Sequence, residues 1–413
     1  MNKPKLLIIS KVLPFPGNSG QQIRVKNILE SLKGHFHVTF VTSANTWEFK
    51  SIKNRLKNIV DDNFILQTEY TGLMKKLYLN VVGIIWALRT GLKMSNYIIS
   101  EQDFTRKKLE SVIQNRKFDV ALYEYWHAYK TLDYFKEKNI PTILDMHNIL
   151  WKSYQSQIDS KKWLHKIQKR WIVKRYKEHE ENIWQRFDGI ISINSKENEY
   201  IIDKTHKRDV IKYIPMGIDF KKWSIKREFS TPQRIAYYGG LESKHNQQSA
   251  LFCYNKVMPL VWDRLNNIEL WIIGSNPSKN IKNLSLIDNR VKVTGYVEDI
   301  KEILKTISVV LCPWNGTYGF RSRIIEVMAL EIPIITTKEA IRGMGLKDSR
   351  GIYISEKSTD YSNFSIELLQ ENKKNISDGM YNRKFSSNLY SLKKTYNRVP
   401  DFINSIINKY QNN

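Results

Sequence analysis

Two arginines and a glutamate, Arg321, Arg323 and Glu326, fall close together in the segment NGTYGFRSRIIEVMALEIPIITT, from Asn315 to Thr337. The run reads as a glycine-broken loop, a short helix that Ser322 or a neighbour caps, a proline and a β-branched strand. Backbone amides of residues 319–322, beginning at Gly319, then sit at a helix start, where partial positive charge favours an anion. Arg321 and Arg323 add full charges suited to phosphate oxygens. Glu326 shares a helix face with Arg323, three residues before it, and its carboxylate can accept two hydrogen bonds from a vicinal diol such as ribose. An acid in a first helical turn, paired with that arginine, explains Glu326 but not a loop carrying two arginines.

Weaker candidates follow other strand-like runs. Gly17 and Gly20 lie in LPFPGNSGQQ, after the apolar run KLLIIS. They do not make the spaced G-x-G-x-x-G pattern of a dinucleotide site, and a plain turn is the simpler reading. Glu124 and His127 follow one strand, and His147 with Asn148 follows the next, so the histidines can converge on one cleft. Each alone is more often structural. Lys244, after YYGG, is on position alone one of many surface lysines. There is no H-E-x-x-H, C-x-x-C or G-x-S-x-G, so zinc chemistry and serine hydrolysis have no support.

The elements that must position these residues form a repeated grammar. KLLIIS, a glycine loop, IRVKNILESL and HVTFVTS read as strand, loop, helix and strand. Further strands are expected at 118–126, 141–148 and 188–195. From Arg234 the pattern restarts with RIAYYGG, IELWIIGSNP, RVKVTGYV, ISVVLCPW, IPIITT and GIYIS, with helices between. Apolar strands alternating with helices indicate parallel, doubly wound α/β sheets, in which ligands bind beyond the carboxyl ends of the strands. The divide near 220–233 gives two domains, 1–223 and 224–385, followed by a polar helical tail at about 386–413.

The chain has 413 residues and 41% hydrophobic content, enough for two cores. Its formal charge of +25 predicts attraction to an anionic partner. Cys253 and Cys312 sit in apolar runs and read as buried free thiols of a reducing cytosol. No signal peptide is evident, and the apolar 77–92 stretch is interrupted by Asn80 and Arg89. A cytoplasmic protein, soluble or peripheral on a membrane face, is expected. In 161–177, eight lysines and arginines accompany Trp163, Leu164, Ile167 and Trp171 on one helical face. That face either packs on the sheet or meets anionic lipid. Charge alone suits a nucleic-acid or other polyanion binder, but no helix-turn-helix, zinc finger or aromatic-on-strand pattern accompanies it.

At these residues the chain resembles the retaining glycosyltransferases of family 4. GFRSRIIEVMALEIPIITT is similar to their G-x-R-x-K-x-x-E-x-M-A…P-x-V-x-T signature. KYIPMGIDF, YYGGLESKHNQQSAL, VTGYVEDIKEIL and LPFPGNSGQQIR resemble further family segments in the same order. The resemblance implies a GT-B fold, two Rossmann-like domains facing across a cleft, with the last helix packing back on the first. It implies a nucleotide diphosphate sugar donor, a glycan or lipid-linked acceptor, no nucleic acid, no cofactor and no metal. Glu326 would bind the donor's ribose, Lys244 and Arg321 its diphosphate, Gly20 would lie against the phosphates, and Tyr296 and Val297 near the base. His147, or else His127, would face the transferred sugar. Two positions depart from the family: Tyr318 replaces a glutamate, and Gly240 replaces an arginine that Arg321 or Arg323 would have to supply. A nucleotide-sugar epimerase of the same fold is the rival enzyme, with Glu124 as its candidate acid/base.

Overall fold

The computed structural model describes residues 3–17, 19–68, 77, 81, 102–161, 164–316 and 319–412. Tyr318, Lys162, Trp163 and all of the 77–92 stretch except Leu77 and Val81 lie outside the described residues. Contacts divide the chain into two compact units, Met1–Pro215 with Tyr396–Asn413, and Met216–Thr395.

The first unit is built on a parallel sheet of β1 (Lys5–Ser10), β2 (His37–Ala44), β3 (Asp62–Gln67), β4 (Val120–Glu124), β5 (Thr142–Met146), β6 (Gly189–Ser192) and β7 (Ile211–Tyr213). Their order is β3-β2-β1-β4-β5-β6-β7, so the winding reverses between β1 and β4. Residues Leu6–Ser10 of β1 and all of β4, β5 and β6 are buried, as strands covered on both faces must be. The two edge strands, β3 and β7, escape a reading by apolar runs. DNFILQ is mostly half-buried and mixes polar with apolar residues, and IKY is only three residues long.

Ser19 caps the first helix, Gly20–Leu32, accepting from the Gln22 amide at 3.3 Å. Its inner stripe is Arg24, Val25, Ile28, Leu29 and Leu32. The tail is less polar than its composition suggests. Its last helix, Arg398–Gln411, buries Val399, Phe402, Ile403, Ile406 and Ile407 and packs against the first helix. Beside it, a Cβ on Gly189 would stand 3.0 Å from the Ile406 side chain, so the helix seats closely against β6 at that glycine.

The second unit repeats the architecture with β8 (Gln233–Tyr238), β9 (Ile268–Ile273), β10 (Val291–Gly295), β11 (Val309–Cys312), β12 (Ile334–Thr336) and β13 (Ile352–Ile354). All pair in parallel in the order β10-β9-β8-β11-β12-β13, with the reversal between β8 and β11. Each was expected from its apolar run. Cys253 and Cys312 are buried and unbridged. The long helix Asn372–Tyr390 lies so close to the turn after the Ser322–Ala329 helix that a Cβ on Gly379 would fall 1.8 Å from the Glu331 carbonyl oxygen. Arg383 on that helix donates to the carbonyls of Trp223 and Phe220, both at 2.7 Å, and to that of Ala329. One guanidinium thereby ties the 220–223 segment and its own helix to the helix that carries Glu326.

Candidate functional site

In the second unit the sheet reversal brings together the ends of β8 and β11. The helix after β11 runs Ser322–Ala329, with Arg321 in the capping position and Ser322 already helical, so Ser322 is not the cap. Glu326 is therefore beyond the first turn, where the helix dipole does little for it. It is nonetheless buried, at 8% exposure. The last residue of β8, Tyr238, donates its hydroxyl to the Glu326 Oε2 at 2.9 Å. Burial raises the Glu326 pKa, opposed by the Arg323 charge and by bonds from Tyr238 and Ser322. Holding a carboxylate in this place has a cost, and a hydrogen-bonding ligand would offset it.

Arg323 does not simply pair with Glu326. Its guanidinium carbon lies 5.1 Å from the Tyr238 ring centroid. Its Nη1 and Nη2 come within 3.5 and 3.7 Å of where a Cβ on Gly240 would stand. Arg323 thus places a positive charge beside the glycine where the family resemblance implies an arginine. Arg321 turns differently, donating to the Asn315 carbonyl at 3.1 Å and covering the Trp314 ring at 5.3 Å. Gly319 has φ +75°, a left-handed turn that suits glycine and aims the chain into the helix.

The other donor-side candidates surround these strand ends. Lys244 is the exposed first residue of the Lys244–Phe252 helix, which Ser243 caps by accepting from the Asn246 amide at 3.1 Å. Gly274 lets the loop after β9 press on the loop after β8, since a Cβ there would be 1.9 Å from the Gly239 carbonyl oxygen. Tyr296 follows β10 and is 69% exposed, and Val297 beside it is half-buried.

In the first unit, Glu124 ends β4, Asp145 lies in β5, and His147 follows it. His147 Nε2 is 2.6 Å from Glu124 Oε2 and 3.4 Å from Asp145 Oδ2. Arg24, from the first helix, grips Asp145 with Nε–Oδ2 at 2.6 Å and Nη2–Oδ1 at 2.5 Å, and also donates to the Ile214 carbonyl. All four side chains are buried. Burial alone would raise Asp145, but Arg24 and His147 outweigh it and hold that carboxyl well below its ordinary range. Burial and the Asp145 charge push Glu124 up to about 7. For His147, burial is outweighed by hydrogen bonds to both carboxylates and by their charges, and its pKa rises. Glu124, Asp145 and His147 have the composition of a metal site. Here, however, Arg24 supplies the cation, with Nε and Nη2 on Asp145 and Nη1 on the Ile214 carbonyl.

Tyr125 connects this cluster to the glycine loop. Its backbone takes φ +65°, uncommon for a tyrosine. Its ring stacks on His147 and His127, with centroids at 4.4 and 5.3 Å. Its hydroxyl accepts from Gln21 at 2.7 Å and donates to Asn148 at 3.3 Å, so the residue next to Gly20 reaches the strand ends that carry both histidines. Burial, and then the neighbouring His147, drives the His127 pKa down to about 3, and this imidazole is neutral. The two histidines do converge, as buried members of one stack.

Asp145 and Tyr238 were not singled out by sequence. An acid inside LDMHN, flanked by residues buried on both faces, was a usable signal. A tyrosine closing a strand was not.

Residues 232–371 match the family model for glycosyl transferases group 1. No curated protein sequence matches the chain. Among solved structures, Anabaena HepE in complex with UDP is 12% identical with a TM-score of 0.65, over 97% of this chain and all of that one. Sucrose-phosphate synthase from Thermosynechococcus elongatus is 14% identical with a TM-score of 0.67, over 99% of this chain and all of the other. A variant of S. aureus TarM, complexed with fondaparinux, alpha-GlcNAc-glycerol and UDP, is 10% identical with a TM-score of 0.64, over 99% and 100%. The two parallel-sheet α/β units have the GT-B fold, and the match to the group 1 glycosyltransferase model lies within the second.

Proposed function

We propose that this GT-B protein transfers a sugar from a nucleotide diphosphate donor to an acceptor hydroxyl, with retention of anomeric configuration, in assembly of a surface polysaccharide or glycolipid. The observation that carries this reading is the buried Glu326 at the sheet reversal, held by Tyr238 with Arg323 beside it, inside the domain that matches the group 1 model. In this reading Glu326 accepts from the ribose diol. The amides of 319–322 with Lys244, Arg321 and Arg323 meet the diphosphate, and Tyr296 and Val297 flank the base. The same cations stabilise the charge that grows on the departing diphosphate. The acceptor proton passes to that leaving phosphate as the hydroxyl attacks on the same face. UDP, bound in the HepE and TarM structures, is the first nucleotide to try.

The first unit carries the acceptor in this proposal. His147 and His127 act from within, fixing the loop ends beside Tyr125 and Asn148, because neither ring is open to solvent. Cytoplasmic placement at the inner membrane face follows the basic charge and is tested below.

The test is calorimetric titration with UDP, GDP, ADP and CMP in the absence of divalent metal, beside Glu326→Ala. Micromolar binding of one nucleotide, lost in the variant, supports the donor site. A folded protein that binds none of them refutes it. Configuration is read by NMR of the product anomer.

The Glu124–His147–Asp145 cluster favours one alternative, an epimerase. Such an enzyme exchanges a carbon-bound hydrogen of the sugar with solvent. A nucleotide sugar recovered from D2O with unchanged mass removes that reading.

A further inference from the structure

We propose that the first three turns of the Lys166–Trp184 helix dock on the anionic surface of a lipid bilayer. An ordinary surface helix needs one apolar stripe, and this one has it. Ile172, Val173, Tyr176, Ile183 and Trp184 face the core of the first unit. At about 100° per residue, Ile167 and Trp171 lie on the opposite side, one turn apart. They are 70% and 44% exposed. Among the described residues this second apolar stripe belongs to neither hydrophobic core, and its exposed part loses by contact with water.

Cations surround the pair. Lys166 and Arg170 lie on one flank, Lys174 beside Trp171, and Arg175 on the other flank, all exposed. The acids on this side lie beyond those three turns: Glu178, met by Lys174 at 3.8 Å, and Glu181, met by Lys177 at 3.9 Å. A tryptophan and a branched aliphatic ringed by basic side chains match the headgroup boundary of an anionic leaflet. There the apolar pair enters the acyl edge while the long cationic stems reach lipid phosphates. A second copy of the chain is a poor occupant, because a two-fold contact would set this basic face against itself. A nucleic acid would satisfy the charges and leave Ile167 and Trp171 in water. Among the described residues no helix is long and apolar enough to cross a membrane, so the contact is peripheral. This surface is independent of the nucleotide site and holds whether or not that reading does.

The test is co-sedimentation of the full chain with vesicles of phosphatidylcholine alone or mixed with phosphatidylglycerol. The wild type is expected to sediment with the mixed vesicles and to stay in solution with the neutral ones. Ile167→Ser with Trp171→Ser is expected to lower partitioning about tenfold. Arg170→Glu with Lys174→Glu is expected to lower it by more than tenfold. Both variants should stay folded with a melting temperature close to that of the wild type, since Ile167 and Trp171 lie outside the core and Arg170 and Lys174 are exposed. A wild type that ignores anionic vesicles overturns the proposal. So does equal partitioning of the Ser variant, which would mark a purely electrostatic surface, with duplex DNA binding as its signature.

Discussion

Tyr238 closes β8 and donates to Glu326, 88 residues later, at 2.9 Å across the reversal of the second sheet. Together with the Ser322 bond, it holds the carboxylate proposed to read the nucleotide's ribose. Tyr238→Phe keeps the ring under Arg323 and removes only the donor. Nucleotide affinity should fall about tenfold, the value of one hydrogen bond, while Glu326→Ala removes it altogether. Calorimetry on both variants separates positioning from contact.

Arg323 and Gly240 should behave as a coupled pair. A Cβ on Gly240 would stand 2.7 Å from Glu242 Oε2 and 3.5 Å from Arg323 Nη1, so Gly240→Arg crowds a site already served. Arg323→Ala should weaken nucleoside diphosphate binding by tenfold or more and flatten its salt dependence. Gly240→Arg should impair the parent and partly rescue Arg323→Ala. A double-mutant cycle in which the two effects simply add would refute the coupling.

The two parallel, doubly wound sheets and the six strands of the second were legible because those strands are apolar runs between helices, whereas the strand order came only from the fold. Arg323 was read as a candidate phosphate ligand and, with Arg321, as a stand-in for the charge missing at Gly240; only the folded loop shows that Arg323 is the one beside that glycine. Lys244 carried no signal from position, and the structure leaves it an exposed helix-start residue whose role rests on the proposed ligand. The histidines were read as facing a substrate. His147 is enclosed by Asp145 with Arg24, whose meeting spans 121 residues and has no periodicity to betray it, and His127 by Tyr125 and Trp126.

Arg24→Ala should be among the most damaging single changes in the first unit. It leaves Asp145 buried, charged and without its two-armed partner, a loss of about 3–5 kcal/mol by comparison with other buried pairs. Thermal unfolding is the readout. Arg24→Lys should recover little, because an ammonium cannot reproduce the two parallel bonds.

Acid should weaken the first unit through His127. Its folded pKa, about 3, lies below the ordinary histidine value. Between those two values the unfolded chain binds a proton that the folded chain refuses, so stability falls as pH drops through that window. His127→Phe keeps the stack on Tyr125 and removes this liability, so its melting temperature should gain on the wild type below about pH 6.5 and track it above. Glu124 works in the opposite sense. Raised to about 7, it loses stability as pH climbs from the ordinary carboxylate range towards neutrality. The relative gain of the phenylalanine variant should survive in a Glu124→Gln background.

The last helix belongs to the first unit, although the whole second unit separates it from the rest of that unit in the chain. During translation, residues up to Pro215 leave the ribosome with the inner stripe of the first helix still lacking part of its cover. Met216–Thr395 follows and contains every strand of its own sheet, so it can fold as it emerges. Only afterwards do Val399, Phe402, Ile403 and Ile406 arrive to seat against the first helix and Gly189. The part of the protein made first is therefore finished last. A nascent chain stalled near Thr395 would present a complete second unit tethered to a first unit with an exposed apolar face, a natural client for a chaperone until synthesis resumes.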